Sequence, residues 1–80
     1  MPKSINSPRH ELVKATLVAQ RKAVGLTQTD VAERVGRPQS YVAKVEGGER
    51  RLDVVELVEL AEVIQLDLHA LVDALRKARG

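Results

Sequence analysis

The sequence predicts an all-α fold of five short helices, and three observations carry that prediction. Apolar residues recur at helical spacing in five separate stretches, and no stretch reads as a strand. Each stretch begins at a residue suited to start a helix: Ser7, Thr27, Pro38, Asp53 and Asp67. Tyr41 is the only aromatic residue and cysteine is absent, so the core must be aliphatic and gains nothing from disulfides or thiolate metal sites. At 80 residues the chain is expected to form one domain, residues 8–80, behind a flexible tail, residues 1–7.

The elements follow in order. Ser7-Pro8 starts the first helix, with Ser as cap and Pro at the first helical position. Val13, Leu17 and Val24 mark its apolar face, Gln20 is a polar break, and Gly25 is a natural stop. Thr27-Gln28-Thr29-Asp30 has the capping-box pattern and opens a second helix with Val31, Ala32 and Val35 on its stripe, closed by Gly36. Arg37-Pro38 breaks the chain, since a residue before proline avoids helical angles, and Pro38 can open the third helix. That helix carries Val42 and Val45 inward and stops at Gly47-Gly48. Asp53 with Glu56 forms a second capping box ahead of Leu57, Leu60, Ala61 and Ile64. Asp67 caps the fifth helix, whose apolar face is Leu68, Leu71, Val72 and Leu75. Arg76, Lys77 and Arg79 fall near its C-terminus, where the helix dipole favours cations.

Charge is divided along the chain. Residues 1–51 hold ten Lys/Arg against five Asp/Glu, and residues 52–80 hold three against six. A basic front and an acidic back suit a protein that meets a polyanion on one side. No stretch approaches the roughly 18 apolar residues of a membrane span. Met1–Pro8 lacks the apolar region of a secretory signal, so a cytoplasmic protein is expected.

The segment from Thr27 to Gly47 carries the functional reading. Two short helices around a glycine-containing turn form a helix-turn-helix, whose second helix can lie in the major groove of DNA. Ala32 lets the helices approach, Gly36 permits the sharp turn, and Val42 and Val45 anchor the second helix from behind. Gln39, Ser40, Tyr41 and Lys44 are then expected to face the bases. Gln39 can offer donor and acceptor to adenine, and Lys44 can reach guanine or a phosphate. Thr27 and Gln28 at the start of the first motif helix, with Arg37, Arg50 and Arg51, are expected to hold phosphates. Leu68, Leu71, Val72 and Leu75 are expected to provide the surface of a homodimer, which would set two recognition helices about 34 Å apart.

Gly25-Leu26-Thr27-Gln28, Val31-Ala32-Glu33-Arg34-Val35-Gly36, Gln39-Ser40-Tyr41-Val42 and Glu46-Gly47-Gly48-Glu49-Arg50, in that order, resemble the Xre/Cro family, which includes phage repressors of the lambda type. The likeness covers about Leu17 to Leu75. It implies a five-helix lambda-repressor-like domain, usually dimeric, that regulates transcription at palindromic operators. It also implies that Gln28 braces Gln39 and that Arg21 and Glu46 form a structural ion pair. Three positions depart from the family pattern: Pro38 replaces a polar cap, Gln20 an apolar residue, and Gln65 a helix-ending glycine.

Other readings are weaker. His10 and His69 have no ligand-like spacing, and Glu56, Glu59 and Glu62 read as a solvated helix face. Glu46-Gly47-Gly48-Glu49 lacks the Gly-Lys-Ser/Thr ending of a phosphate loop. No nucleophile–base arrangement appears, so neither an enzyme nor a metal, cofactor or small-molecule ligand is expected. The sequence does not separate a phage repressor from a restriction–modification controller or an antitoxin. The competing class is a protein-interaction module that keeps the fold but binds DNA weakly.

Overall fold

The computed structural model describes residues 7–78 as five helices: α1 (Pro8–Ala23), α2 (Gln28–Val35), α3 (Gln39–Gly47), α4 (Val54–Ile64) and α5 (Leu68–Lys77). Among the described residues there is no strand. Of the expected tail only Ser7 is described, and it belongs to the folded unit: its Oγ accepts the His10 N–H at 3.1 Å and caps α1.

The other starts are equally local. Thr27 and Asp30 form a reciprocal capping box, each accepting the other's backbone N–H, at 3.0 and 2.9 Å. Asp53 and Glu56 do the same at 2.7 and 3.0 Å. Asp67 accepts the Ala70 N–H at 3.1 Å. Each bond satisfies a donor that a helix start leaves unpaired, typically worth about 1 kcal/mol. Pro38 sits one position earlier than expected. It is the N-cap of α3, in extended conformation, with no side-chain cap bond, and Gln39 is the first helical residue.

The ends of α2, α3 and α4 use left-handed backbone. Gly36 (φ 74°) closes α2 and turns the chain into α3. Gln65 (φ 60°) closes α4, and it is the only residue other than glycine with positive φ among those described. That conformation costs a residue with a Cβ about 1 kcal/mol. The structure joins two departures seen in the sequence: Gln20 Nε2 donates to the carbonyls of Ile64 and Gln65, at 3.1 and 3.2 Å. The polar break in α1 thus satisfies carbonyls at the end of α4.

α2 packs mainly on α3 and then on α4, while α1 runs across α3, α5 and α4. The core joins Leu17, Val31, Ala32, Tyr41, Val42, Val45, Leu60 and Ile64, with Val13, Val24, Leu26 and Val35 among those packed against it. Leu71 is also buried within the subunit, 3% exposed. It therefore cannot serve as the dimer surface expected of it, because it spends its side chain on its own core. Leu68 and Leu75 are half-buried, and only Val72 of that set is exposed. The most exposed large apolar side chains among the described residues lie instead on α4, at Val54 and Val55. Among the described residues, no helix is long and apolar enough to cross a membrane and no side-chain group could hold a metal ion.

Candidate nucleic-acid interface

α3 has two faces. Tyr41, Val42 and Val45 are buried, while Gln39, Ser40 and Lys44 are exposed. The helical period accounts for this split: residues three and four apart share a face, so Tyr41 falls in line with Val45. Tyr41 was expected at the exposed groove face. The structure corrects this, since the ring is 8% exposed and belongs to the core. Burial, with Glu56 nearby, raises the Tyr41 phenol above its usual pKa.

A chain of polar side chains leads from α1 to the exposed face. Arg21 grips Glu46 with two bonds, Nε to Oε2 at 2.6 Å and Nη2 to Oε1 at 3.0 Å, and donates a third to the Leu26 carbonyl at 2.8 Å. Both side chains are largely buried, at 11% and 10% exposed. Gln28 Nε2 donates to Glu46 Oε1 at 2.9 Å, and Gln39 Nε2 donates to Gln28 Oε1 at 2.7 Å. The structure thus brings Arg21 to Glu46 and Gln28 to Gln39. It adds a link between them, because Glu46 also fixes Gln28. The exposed Gln39 amide is oriented by a network anchored in α1.

A second network lies behind α3. Arg50 holds Glu56 through two bonds, at 3.0 and 2.9 Å, and Arg37 reaches the same carboxylate at 3.3 Å. Both guanidinium groups lie over the Tyr41 ring, 4.6 and 4.7 Å from its centroid, in cation–π contact. Glu56 is buried, 8% exposed, which corrects its expected place on a solvated face. Arg50 above all, with the Asp53 backbone N–H and Arg37, holds the Glu56 carboxyl at about 2, against an ordinary 4.5. Arg37 and Arg50, expected as phosphate contacts, are engaged with Glu56 and Tyr41, and their side chains are 37% exposed. The signal available in the sequence was Glu56 itself. It lies four residues before Leu60 and eight before Ile64, on the buried stripe of α4, where a charge needs a partner.

The remaining expected contacts surround the exposed face. Thr27 is exposed with its hydroxyl committed to the α2 cap. Gln28 is half-buried at the α2 N-terminus, and Arg51 is exposed after α3. An exposed helix with polar and cationic groups, held rigidly from behind, can enter a DNA groove.

Three comparisons agree on the kind of protein this resembles. Residues 17–71 match the family profile described as Helix-turn-helix. Over 54 residues, 68% of this chain and 70% of the relative, it is 37% identical to y4dJ of Sinorhizobium fredii, named as an HTH-type transcriptional regulator. An XRE-family like protein from Pseudomonas syringae pv. tomato superposes with a TM-score of 0.82 at 42% identity, covering 92% of this chain and 90% of that one.

Proposed function

Since the chain belongs to the Xre-type helix-turn-helix family of DNA-binding transcriptional regulators, we propose that it acts as a cytoplasmic repressor or autoregulator, binding a palindromic operator as a homodimer. The observation that carries this reading is the exposed α3 face, with Gln39 held in place by Gln28, Glu46 and Arg21. Pre-orientation reduces the entropy lost when a side chain pairs with a base edge. In this reading Gln39, Ser40 and Lys44 face the bases. Thr27, Gln28 and Arg51 hold phosphates beside the α2 N-terminus, whose backbone N–H groups and dipole favour anions. Arg37 and Arg50 act first as the mount of α3.

Two observations support the dimer. Val54, Val55 and Val58 on α4 are exposed apolar groups. The body measures 33 × 29 × 21 Å. A body of that size leaves room for two copies side by side along one DNA turn, about 34 Å.

Selection of bound sites from random duplex DNA tests the reading. A palindrome with half-sites about ten base pairs apart should be enriched, and its affinity should fall steeply with salt. Enrichment of a single unpaired half-site would overturn the dimer. Failure to enrich any site would overturn sequence-specific regulation and favour the interaction-module class.

A further inference from the structure

A cleft of about 530 Å³ opens between α1, the α3–α4 connection and α5. Its size falls within the roughly 300–1,000 Å³ typical of small-molecule sites. Val13, Leu57, Val72 and Leu75 give it an apolar lining. Arg9, Lys14, Arg50, Arg51 and Arg76 also line it, and no Asp or Glu does so among the described residues. Some of that charge is already engaged: Lys14 meets Glu11 at 3.1 Å, Arg50 holds Glu56 at 2.9 Å, and Arg9 Nε donates to the Ala78 carbonyl at 3.1 Å. His10 stands in the same wall, with its Nε2 shielded from water and without a hydrogen-bond partner among the described residues. A buried polar atom of this kind asks for a partner.

We propose that this cleft binds a small amphiphilic anion, a carboxylate on an apolar tail, with the headgroup among His10, Arg9 and Arg76 and the tail against Val13, Val72 and Leu75. The cationic wall and apolar lining complement the two ends of such a molecule. Burial above all, then the charges of Arg51 and Lys14, pushes the His10 imidazole below its usual 6.5. Other occupants fit less well. A second copy docked cleft to cleft sets two cationic walls against each other. Residues 1–6 carry Lys3 and no carboxylate. No sequence motif points to a small-molecule ligand, because the residues of this cleft come from five separate segments.

The test uses the full chain without DNA, so its outcome is independent of the operator reading. Decanoate, decanol and acetate are titrated into ¹⁵N-labelled protein and followed by amide resonances. Decanoate should shift Val13, Val72 and Leu75 saturably. Decanol should bind about tenfold more weakly, the worth of one charge-assisted contact, and acetate should shift nothing. Arg76→Glu should weaken decanoate about tenfold, and Val72→Glu should abolish binding. Both sites are exposed, so the spectrum stays that of a folded protein. Equal binding of decanol and decanoate, or none of decanoate, overturns the proposal. So does movement of the same resonances on simple dilution, which would assign the cleft to a second copy.

Discussion

At one edge α3 is held by Arg21, Glu46 and Gln28; behind it, by Arg37 and Arg50 gathered on Glu56 and Tyr41. Both networks are built from arginine and glutamate, and both lie beside the same helix. The first ends on the exposed Gln39 amide. The second ends on a buried ring. In each network the arginines beside α3 have partners within the protein, and those partners give them a structural role. The first network is expected to couple stability to recognition, and the second to set stability alone.

The strongest test of that division is Tyr41→Ala. Loss of a buried aromatic ring costs about 3–5 kcal/mol, much of what a domain of this size has to lose. Tyr41→Phe keeps the ring under both guanidinium groups and should remain close to the parent. Urea unfolding measures both, and a neutral Tyr41→Ala would show that the rear network does not mount the helix.

Glu46→Ala comes next. It leaves Arg21 without its buried partner, an effect of about 3 kcal/mol, and releases Gln28 and with it Gln39. The expected outcome joins lower unfolding stability to poorer discrimination between operator and mismatched DNA. A stability loss with full discrimination would separate the two roles of this network.

Glu56→Gln sharpens the contrast through pH. The folded carboxyl lies at about 2, below the ordinary 4.5. Its contribution is therefore fully present above the ordinary value and is lost as pH falls from there toward 2. Thermal unfolding should show the parent more stable than the variant at neutral pH, with the gap closing through that acid window. A gap constant with pH would remove the charge from the account of the rear network.

The smallest effect on folding is expected for Lys44→Ala, within about 0.5 kcal/mol on an exposed site. Its DNA signature is diagnostic. A phosphate contact lowers the salt slope by about one across all sequences, whereas a base contact loses about 1–3 kcal/mol at one position. Binding curves at several salt concentrations distinguish the two.

Much of this architecture was legible because it is local. Ser7, Thr27 with Asp30, Asp53 with Glu56, and Asp67 announce helix starts within a few residues of themselves. The inward face of α3 was only half legible: Val42 and Val45 were assigned to it, while Tyr41, on the same period as Val45, was judged by its polar hydroxyl. The rear network was legible only at Glu56, a charge on the buried stripe of α4, and not in its partners. Arg37, Arg50 and Glu56 lie on three segments without shared periodicity, and only the fold places them on one ring. The same holds for Gln20 and Gln65, which look like separate departures and act together at one helix end. The apolar stripe of Leu57, Leu60, Ala61 and Ile64 leaves out Val54, Val55 and Val58, whose exposure follows only from the packing of α4.

The central claim is that the exposed face of α3 reads DNA sequence while its buried face only holds it in place. Gln39→Ala with Lys44→Ala, assayed together for site selection from random duplex DNA, tests this most directly. The account expects a folded protein of near-parental stability that has lost the parent's preference among sites. A double variant that enriched the same operator as strongly as the parent would contradict it.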